Sequence, residues 1–464
     1  MVIKTLNRLL KPFGWQLQRT TEADVATAQG NGRGSPAFSE ASPTSSGGAD
    51  GPQKQTSPFL LGSQGVEETV GRLLDRAIEL EASDVFITCL EDGVEVVVRR
   101  LGIIQRLAIM PRDLGMRCLS HIRVMAGLRI DERRHPQDGR WIYRLGANSV
   151  IDLRINTIPT LYGESLAIRL LFRDAALQKL DALGMVGEQL PTLESLLYSP
   201  GGLILLTGPT GSGKTTTLYA CLQHLNDGTR VISSIEDPIE YSIKGIRQTQ
   251  VDEINGAGFA EMLRAVVRQG PDVIMIGEVR DEATAETAVR AANSGQLVFA
   301  TMHAPTAAAA VGSILGLRVP SHFVASTLLA VVSQRLARTL DPQTRVPIDL
   351  SSAPRTFEDV RPWLKDGEGQ IVYAARDENG YSGRTGVFEL MTMTTALREM
   401  IFNREPAGAI ARQAREEGMI DLSRAALIKV AQGVTSFDEI QRVLPDPEVW
   451  TWAPIRQEIL DVER

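Results

Sequence analysis

The sequence predicts an α/β protein: a central domain on a parallel sheet, preceded by a small α+β domain and followed by a mostly helical C-terminal region. Three observations carry that prediction. The apolar run 203–206 ends in Gly208-Pro209-Thr210-Gly211-Ser212-Gly213-Lys214-Thr215, and residues 216–225 continue as a helix, so a strand turns through glycines into a helix. Three further strand-like segments, 231–236, 273–277 and 297–301, are spaced widely enough for crossover helices, which implies parallel pairing. Ahead of them Val70, Leu73, Leu74, Ala77 and Leu80 recur at a helical period, and alternating strands follow.

The turn between strand and helix reads G-x-x-x-x-G-K-T, and the pattern has a chemical meaning. Its glycines let backbone N–H groups turn inward around phosphate oxygens, and the next helix presents its positive end to the same anion. Lys214 is placed to reach the β- and γ-phosphates, and the Thr215 hydroxyl to hold Mg²⁺. With Thr216 these residues form the expected nucleotide-binding set.

At 464 residues the chain has room for about three domains of ~150 residues each. The 43% hydrophobic and 23% charged content is that of a globular protein with a full core. A net charge of −7 argues against a protein that coats nucleic acid, so no nucleic-acid partner is expected. The three cysteines, Cys89, Cys118 and Cys221, are scattered and suit a reducing compartment. No apolar run approaches the ~18 residues of a membrane span, and no secretory signal opens the chain, so a cytoplasmic location is expected.

Residues 1–20 place Val2, Ile3, Leu6, Leu9 and Leu10 at helical spacing, with Lys4, Arg8, Lys11 and Arg19 and no acid. Such a short basic amphipathic helix suits a membrane surface, a partner's groove, or the capping of its own domain. Residues 21–60 are rich in Gly, Ser and Pro and read as a flexible linker. Residues 61–178 read as the α+β domain. They give a helix at 67–80, strands at 84–88 and 94–99, a helix at 112–127, and strands at 141–145, 150–157 and 165–171. The loop 133–140 carries Arg133, Arg134 and Arg140, and Arg154 and Arg169 lie in the late strands. Strand arginines are usually solvated charges, but several of them ahead of a phosphate loop also match a γ-phosphate clamp supplied by a flanking domain.

Residues 179–340 read as the nucleotide domain. Glu278 follows the strand 273–277, where an acid can hold Mg²⁺ through water, across from Thr215. Glu236, Asp237 and Glu240 end the strand 231–236 and face the crevice at the strand ends, where one of them can orient the attacking water. His303 ends the next strand and is placed to sense the γ-phosphate, although a lone strand-end histidine is more often structural. Residues 341–380 read as irregular and polar. Helices at 396–403, 407–417, 422–432 and 436–443 close the chain, within a region taken as 341–464.

This order of motifs resembles the hexameric secretion ATPases of type II secretion and type IV pilus assembly, over roughly residues 66–445. Residues 208–215 correspond to the Walker A loop, 235–241 to the aspartate box, 274–281 to the Walker B segment and 295–303 to the histidine box. Residues 133–140 and 381–390 point to the assembly branch rather than the retraction branch. The resemblance implies a RecA-like P-loop domain after a PAS-like α+β domain, with ATP and Mg²⁺ as cofactors. It implies that Glu240 polarises water, that Glu278 manages Mg²⁺, and that Arg154, Arg169, Arg264 and Arg268 contact the γ-phosphate as the domains close. It further implies a homo-oligomer, a hexameric ring, that hydrolyses ATP to drive pilus or pseudopilus assembly. The implied partners are an inner-membrane platform protein and its cytoplasmic adaptor. The implied location is cytoplasmic and peripheral to the inner membrane, with residues 1–20 as a contact to its surface.

The chain departs from the family pattern in four places. The region after the nucleotide domain has no cysteine, so no zinc site is expected. Gln296 stands where the histidine box has its first histidine, Phe86 and Thr88 replace a polar pair after Asp84, and a helix and linker stand in place of a large N-terminal docking domain. Two other readings remain at this point: a nucleotide-binding scaffold of the same family with little turnover, and a nucleic-acid translocase of related fold.

Overall fold

The computed structural model describes residues 65–145, 149–172, 178–252, 257–350 and 356–444. The helix expected at 1–20 and the linker at 21–60 lie outside the described residues.

The first domain begins with α1 (Val66–Glu79) and contains α2 (Arg112–Met125) and six strands. The strands are β1 (Asp84–Cys89), β2 (Val94–Arg100), β3 (Ile103–Met110), β4 (Gln137–Leu145), β5 (Ser149–Thr160) and β6 (Gly163–Phe172). They form one antiparallel sheet in the order β3-β2-β1-β6-β5-β4. Alternation sends Val85, Ile87, Val94, Val96, Val98, Leu153 and Ile155 into a core shared with Val70, Leu73 and Leu74 of α1 and with Leu119 and Ile122 of α2. Gly115 lets α2 sit directly on β2, because any Cβ there would collide with the Val94 side chain. Two strand assignments differ from the sequence reading. β3 was not anticipated, and β4 starts at Gln137, inside the expected arginine loop. The loop ahead of β4 is fixed from within: Arg123, fully buried, donates to the Glu164 carboxylate and to the carbonyls of Arg129 and Glu132.

The second domain is built on seven strands: β7 (Gly202–Thr207), β8 (Ile232–Glu236), β9 (Arg247–Gln250), β10 (Val273–Ile276), β11 (Leu297–Met302), β12 (Leu328–Leu340) and, after the small hairpin β13 (Val346–Asp349) and β14 (Ile371–Ala374), β15 (Tyr381–Thr392). The order is β15-β12-β7-β11-β10-β8-β9, with every pair parallel except β12–β15. The helices that flank it are α3 (Gln189–Leu197), α4 (Lys214–Leu225), α5 (Phe259–Val267), α6 (Glu282–Asn293), α7 (Ala307–Gly316) and α8 (Ser321–Thr327). All of β7 is buried. Leu203 and Leu205 enter one core with Ala285 and Val289 of α6, while Ile204 and Leu206 enter another with Leu218, Leu222 and Leu225 of α4. A strand covered on both faces reads as a continuous apolar run, which is why 203–206 was legible.

The C-terminal region is less helical than expected. Residues 341–380 contain the β13–β14 hairpin and a 3₁₀ turn, Glu358–Trp363, and β15 joins the central sheet beside β12. A boundary at 340 therefore cuts across that pairing. β15 finds its partner far back in the chain, so no hairpin turn announces it locally. The closing helices α9 (Thr395–Phe402), α10 (Ala407–Glu416), α11 (Leu422–Ala431) and α12 (Phe437–Val443) fall within two residues of their expected bounds. Thr394, Asp421 and Ser436 each cap one of them through a side-chain oxygen.

Candidate active site

The loop 208–213 leaves the end of β7 and enters α4. Gly211 and Gly213 have φ of +75° and +89°, a conformation that a side chain disfavours. Gly213 is the N-cap of α4 and no side chain caps that end, so the first N–H groups of the helix stay open to an anion. Ser212 Oγ is buried without a partner. Lys214 folds back on its own loop: Nζ donates to the carbonyls of Gly208 at 2.8 Å and Pro209 at 3.1 Å. Burial pushes the Lys214 amine below its ordinary value, Glu278 pulls it up, and Arg335 pushes it further down. An ammonium spent on its own backbone, an uncapped helix end and an orphaned hydroxyl are donors that suit a polyphosphate. Thr215 is exposed at the first turn of α4 and Thr216 is half-buried behind it.

Glu278, just beyond β10, lies between Arg280 at 2.6 Å and His303 Nε2 at 3.1 Å. Burial works to raise its carboxyl, but Arg280, His303 and Lys214 outweigh that and hold it below the usual carboxylate range. The strand ends that carry the group are tied together. Val279 N–H donates to the Thr301 carbonyl at 2.8 Å, and Thr301 Oγ1 to the Gly277 carbonyl at 2.5 Å. The fold thus brings Lys214, Glu278 and His303 to one place.

Glu236 has a different role from the one expected. It is 3% exposed, and its carboxylate accepts from Tyr219 Oη, from Ser234 Oγ at 2.5 Å and from Gln248 Nε2 at 3.1 Å. Those donors come from α4, β8 and β9, so the acid ties three elements together instead of facing the crevice. It is the last residue of a strand buried on both faces, which leaves its side chain no route to solvent. Glu240 stands half-buried in the loop after β8. The ring of the next residue, Tyr241, packs edge-to-face on Tyr219 with centroids 5.4 Å apart and fixes that loop to α4.

The four arginines fall in two groups. Arg264 and Arg268 are exposed on and just after α5, which is held to the core by Phe259, Leu263 and Val266. Arg154 and Arg169 face each other across β5 and β6, and Arg140 and Asp84 continue the same cross-strand row. Asp84 is paired with Arg99 at 3.2 Å and Arg169 at 3.6 Å, and Arg140 Nε donates to Asp152 at 2.8 Å. Like charges directly opposite on a sheet repel; Asp152 and Asp84 offset that repulsion at Arg140 and Arg169, and Arg154 stands between them as a charge that suits an anionic ligand. Among the described residues, the groups that contact or perturb Lys214 belong to its own domain.

Gln296 precedes β11 and His303 follows it, which separates them by about 20 Å along the strand. Gln296 therefore sits at the far end of the sheet from the phosphate loop. Three residues beside the loop escaped sequence reasoning: Arg280, Gln334 and Arg335. Arg280 is two residues beyond Glu278, within reach of it. Gln334 and Arg335 interrupt an apolar run, and a polar residue in such a run needs a partner, which was the available signal.

The sequence model of the family described as "Type II/IV secretion system protein" matches residues 60–442. The type IV pilus assembly ATPase PilB of Pseudomonas aeruginosa is 39% identical over 380 residues, which cover 81% of this chain and 67% of that one. The type II secretion system ATPase E of Vibrio cholerae is 40% identical over 379 residues, covering 81% of this chain and 74% of its own. Among solved structures, the pilus retraction motor PilT with bound ADP aligns over 81% of this chain and 97% of its own, with a TM-score of 0.54 and 25% identity. The Legionella pneumophila ATPase DotB aligns over 82% and 96% with a TM-score of 0.63; at 18% identity it shows the likeness of fold.

Proposed function

The chain belongs to the type II/IV secretion system protein family, and from that premise we propose that it is a motor ATPase driving pilus or pseudopilus assembly. The observation that carries the reading is the convergence of Lys214, Glu278 and His303 around an uncapped helix end at the parallel strands' C-terminal edge.

Phosphoryl transfer to water needs charge neutralisation and alignment more than covalent chemistry. Lys214 would exchange its two loop carbonyls for phosphate oxygens, and the Gly211–Thr215 backbone would donate to the same oxygens. Thr215 and Glu278 would hold Mg²⁺, which when bound neutralises charge on the β- and γ-phosphates. Glu240 orients the attacking water. His303, joined to Glu278, responds to the terminal phosphate. Arg154 and Arg169 of the first domain, with Arg264 and Arg268, close on that phosphate, so hydrolysis is coupled to domain movement. The motor is a hexameric ring in the cytoplasm, docked on an inner-membrane platform protein and its adaptor. No helix among the described residues is long and apolar enough to cross a membrane.

The test is Mg²⁺-dependent phosphate release by the purified oligomer, with Lys214→Ala in parallel. Turnover lost in the variant supports the motor. Tight ATP binding without any phosphate release in the unaltered protein would point to the scaffold instead.

A further inference from the structure

At the centre of β12 an apolar stretch gives way to three buried polar residues, Ser333, Gln334 and Arg335, of which Gln334 and Arg335 are exposed by 1% and 9%. Gln334 Nε2 donates to the Ser212 carbonyl at 2.8 Å. The Gln334 carbonyl presses on the start of the phosphate loop so closely that a Cβ on Gly208 would lie 2.5 Å from it. Arg335 Nη1 donates to that same carbonyl at 2.9 Å, and Nη2 to the Pro305 carbonyl at 2.7 Å. Pro305 is two residues beyond His303. Between them Ala304 exchanges hydrogen bonds of 2.7 and 2.9 Å with the hydroxyl of Thr207, the residue at the end of β7. Ala307 N–H then donates at 2.6 Å to the buried Glu389, whose other oxygen lies 3.3 Å from the N–H of Leu422 at the start of α11.

We infer that Gln334 and Arg335 are positioning residues for ATP hydrolysis: they lock the phosphate loop to the loop after His303, and Glu389 ties that second loop to α11. The inference deepens the motor reading and rests on it.

Two features separate this arrangement from ordinary packing. An amide and a guanidinium in the middle of a buried strand are costly there, and apolar residues would fill the space without that cost. Gln334 Oε1 and Ser212 Oγ also remain buried without partners, so the contact between strand and loop is only half made. Phosphates entering the loop change its shape, and the strut passes that change to the His303 loop and to α11. Each rigid link is a few hydrogen bonds long, and an ångström of misplacement at a reacting centre is enough to slow the chemistry greatly.

The experiment uses the full-length protein. Phosphate release is measured against Mg-ATP concentration, and binding of a fluorescent ATP analogue and thermal unfolding are followed alongside. Gln334→Leu keeps the volume and removes the tether to Ser212; about tenfold weaker analogue binding and a KM raised by about tenfold are expected, with kcat little changed. Arg335→Lys keeps the charge but replaces two guanidinium nitrogens, each aimed at its own carbonyl, with one ammonium on a shorter stem, so the bond to Pro305 is lost; kcat should fall about tenfold with KM nearly unchanged, because the His303 loop is released. A purely structural role would lower the melting temperature and leave KM, kcat and affinity as they were. Variants within about twofold of the parent in all three would overturn the inference. Should Arg335→Lys fail to fold, Gln334→Leu decides it. If the unaltered protein binds the analogue without turnover, the motor reading fails and the affinity arm still tests the strut.

Discussion

Two glutamates at the end of β8 give a sharp test, because the structure separates roles that their positions in sequence do not. Glu236→Gln preserves shape but removes a charge that accepts three hydrogen bonds. The Tyr219 and Ser234 hydroxyls can turn and accept, whereas the Gln248 amide must donate, so at least one charge-assisted bond is lost in a buried site. A bond of that kind contributes about 1.5–3 kcal/mol, and about 2 kcal/mol lost from a domain of this size lowers Tm by about 4–8 °C. Glu240→Gln lies in a half-buried loop with no such network, so Tm should hold while turnover falls by about 10²–10⁴-fold, the range for a catalytic acid or base. The assay is differential scanning calorimetry with phosphate release on both variants. Glu236→Gln with an unchanged Tm and abolished turnover would refute the reasoning, since it would make the buried acid the catalytic one.

Other consequences follow from single contacts. Burial pushes the Glu389 carboxyl up to about 7, with Asp421 adding to it and the Ala307 and Leu422 amides and Arg335 opposing. Its folded value lies above its unfolded one, so its contribution to stability is full below about pH 4.3 and is lost as pH rises through 7, by about 4 kcal/mol. The parent Tm should therefore fall across that window, and Glu389→Gln should flatten the profile. Arg123→Met leaves Glu164 buried without its main partner and should cost about 3–5 kcal/mol, read by denaturant unfolding; adding Glu164→Leu should recover much of it. Arg169→Ala and Arg154→Ala should reduce turnover by about 10²-fold or more with a smaller effect on nucleotide binding, measured by phosphate release and analogue affinity.

The nucleotide-binding motif, the parallel order of its sheet and the amphipathic α1 were legible because each signal is local. A glycine-rich turn between a buried run and a helix can be read within a few residues, and a helical period needs only a few turns. The bounds of α9 to α12 were legible for the same reason. What the sequence alone determined is therefore the glycine-rich turn Gly208–Thr215 between a buried strand and a helix, and the class of fold around it. Tertiary structure decided the rest: that Glu236 is buried under Tyr219 while Glu240 is not, that Glu278 meets His303, and that Gln296 lies at the far end of β11. It also decided that β15 returns to β12, and that Gln334 and Arg335 press on the phosphate loop. These depend on pairings between residues far apart in the chain and on which face of a doubly covered strand a side chain takes. An apolar run buried on both sides has no alternation to reveal that face.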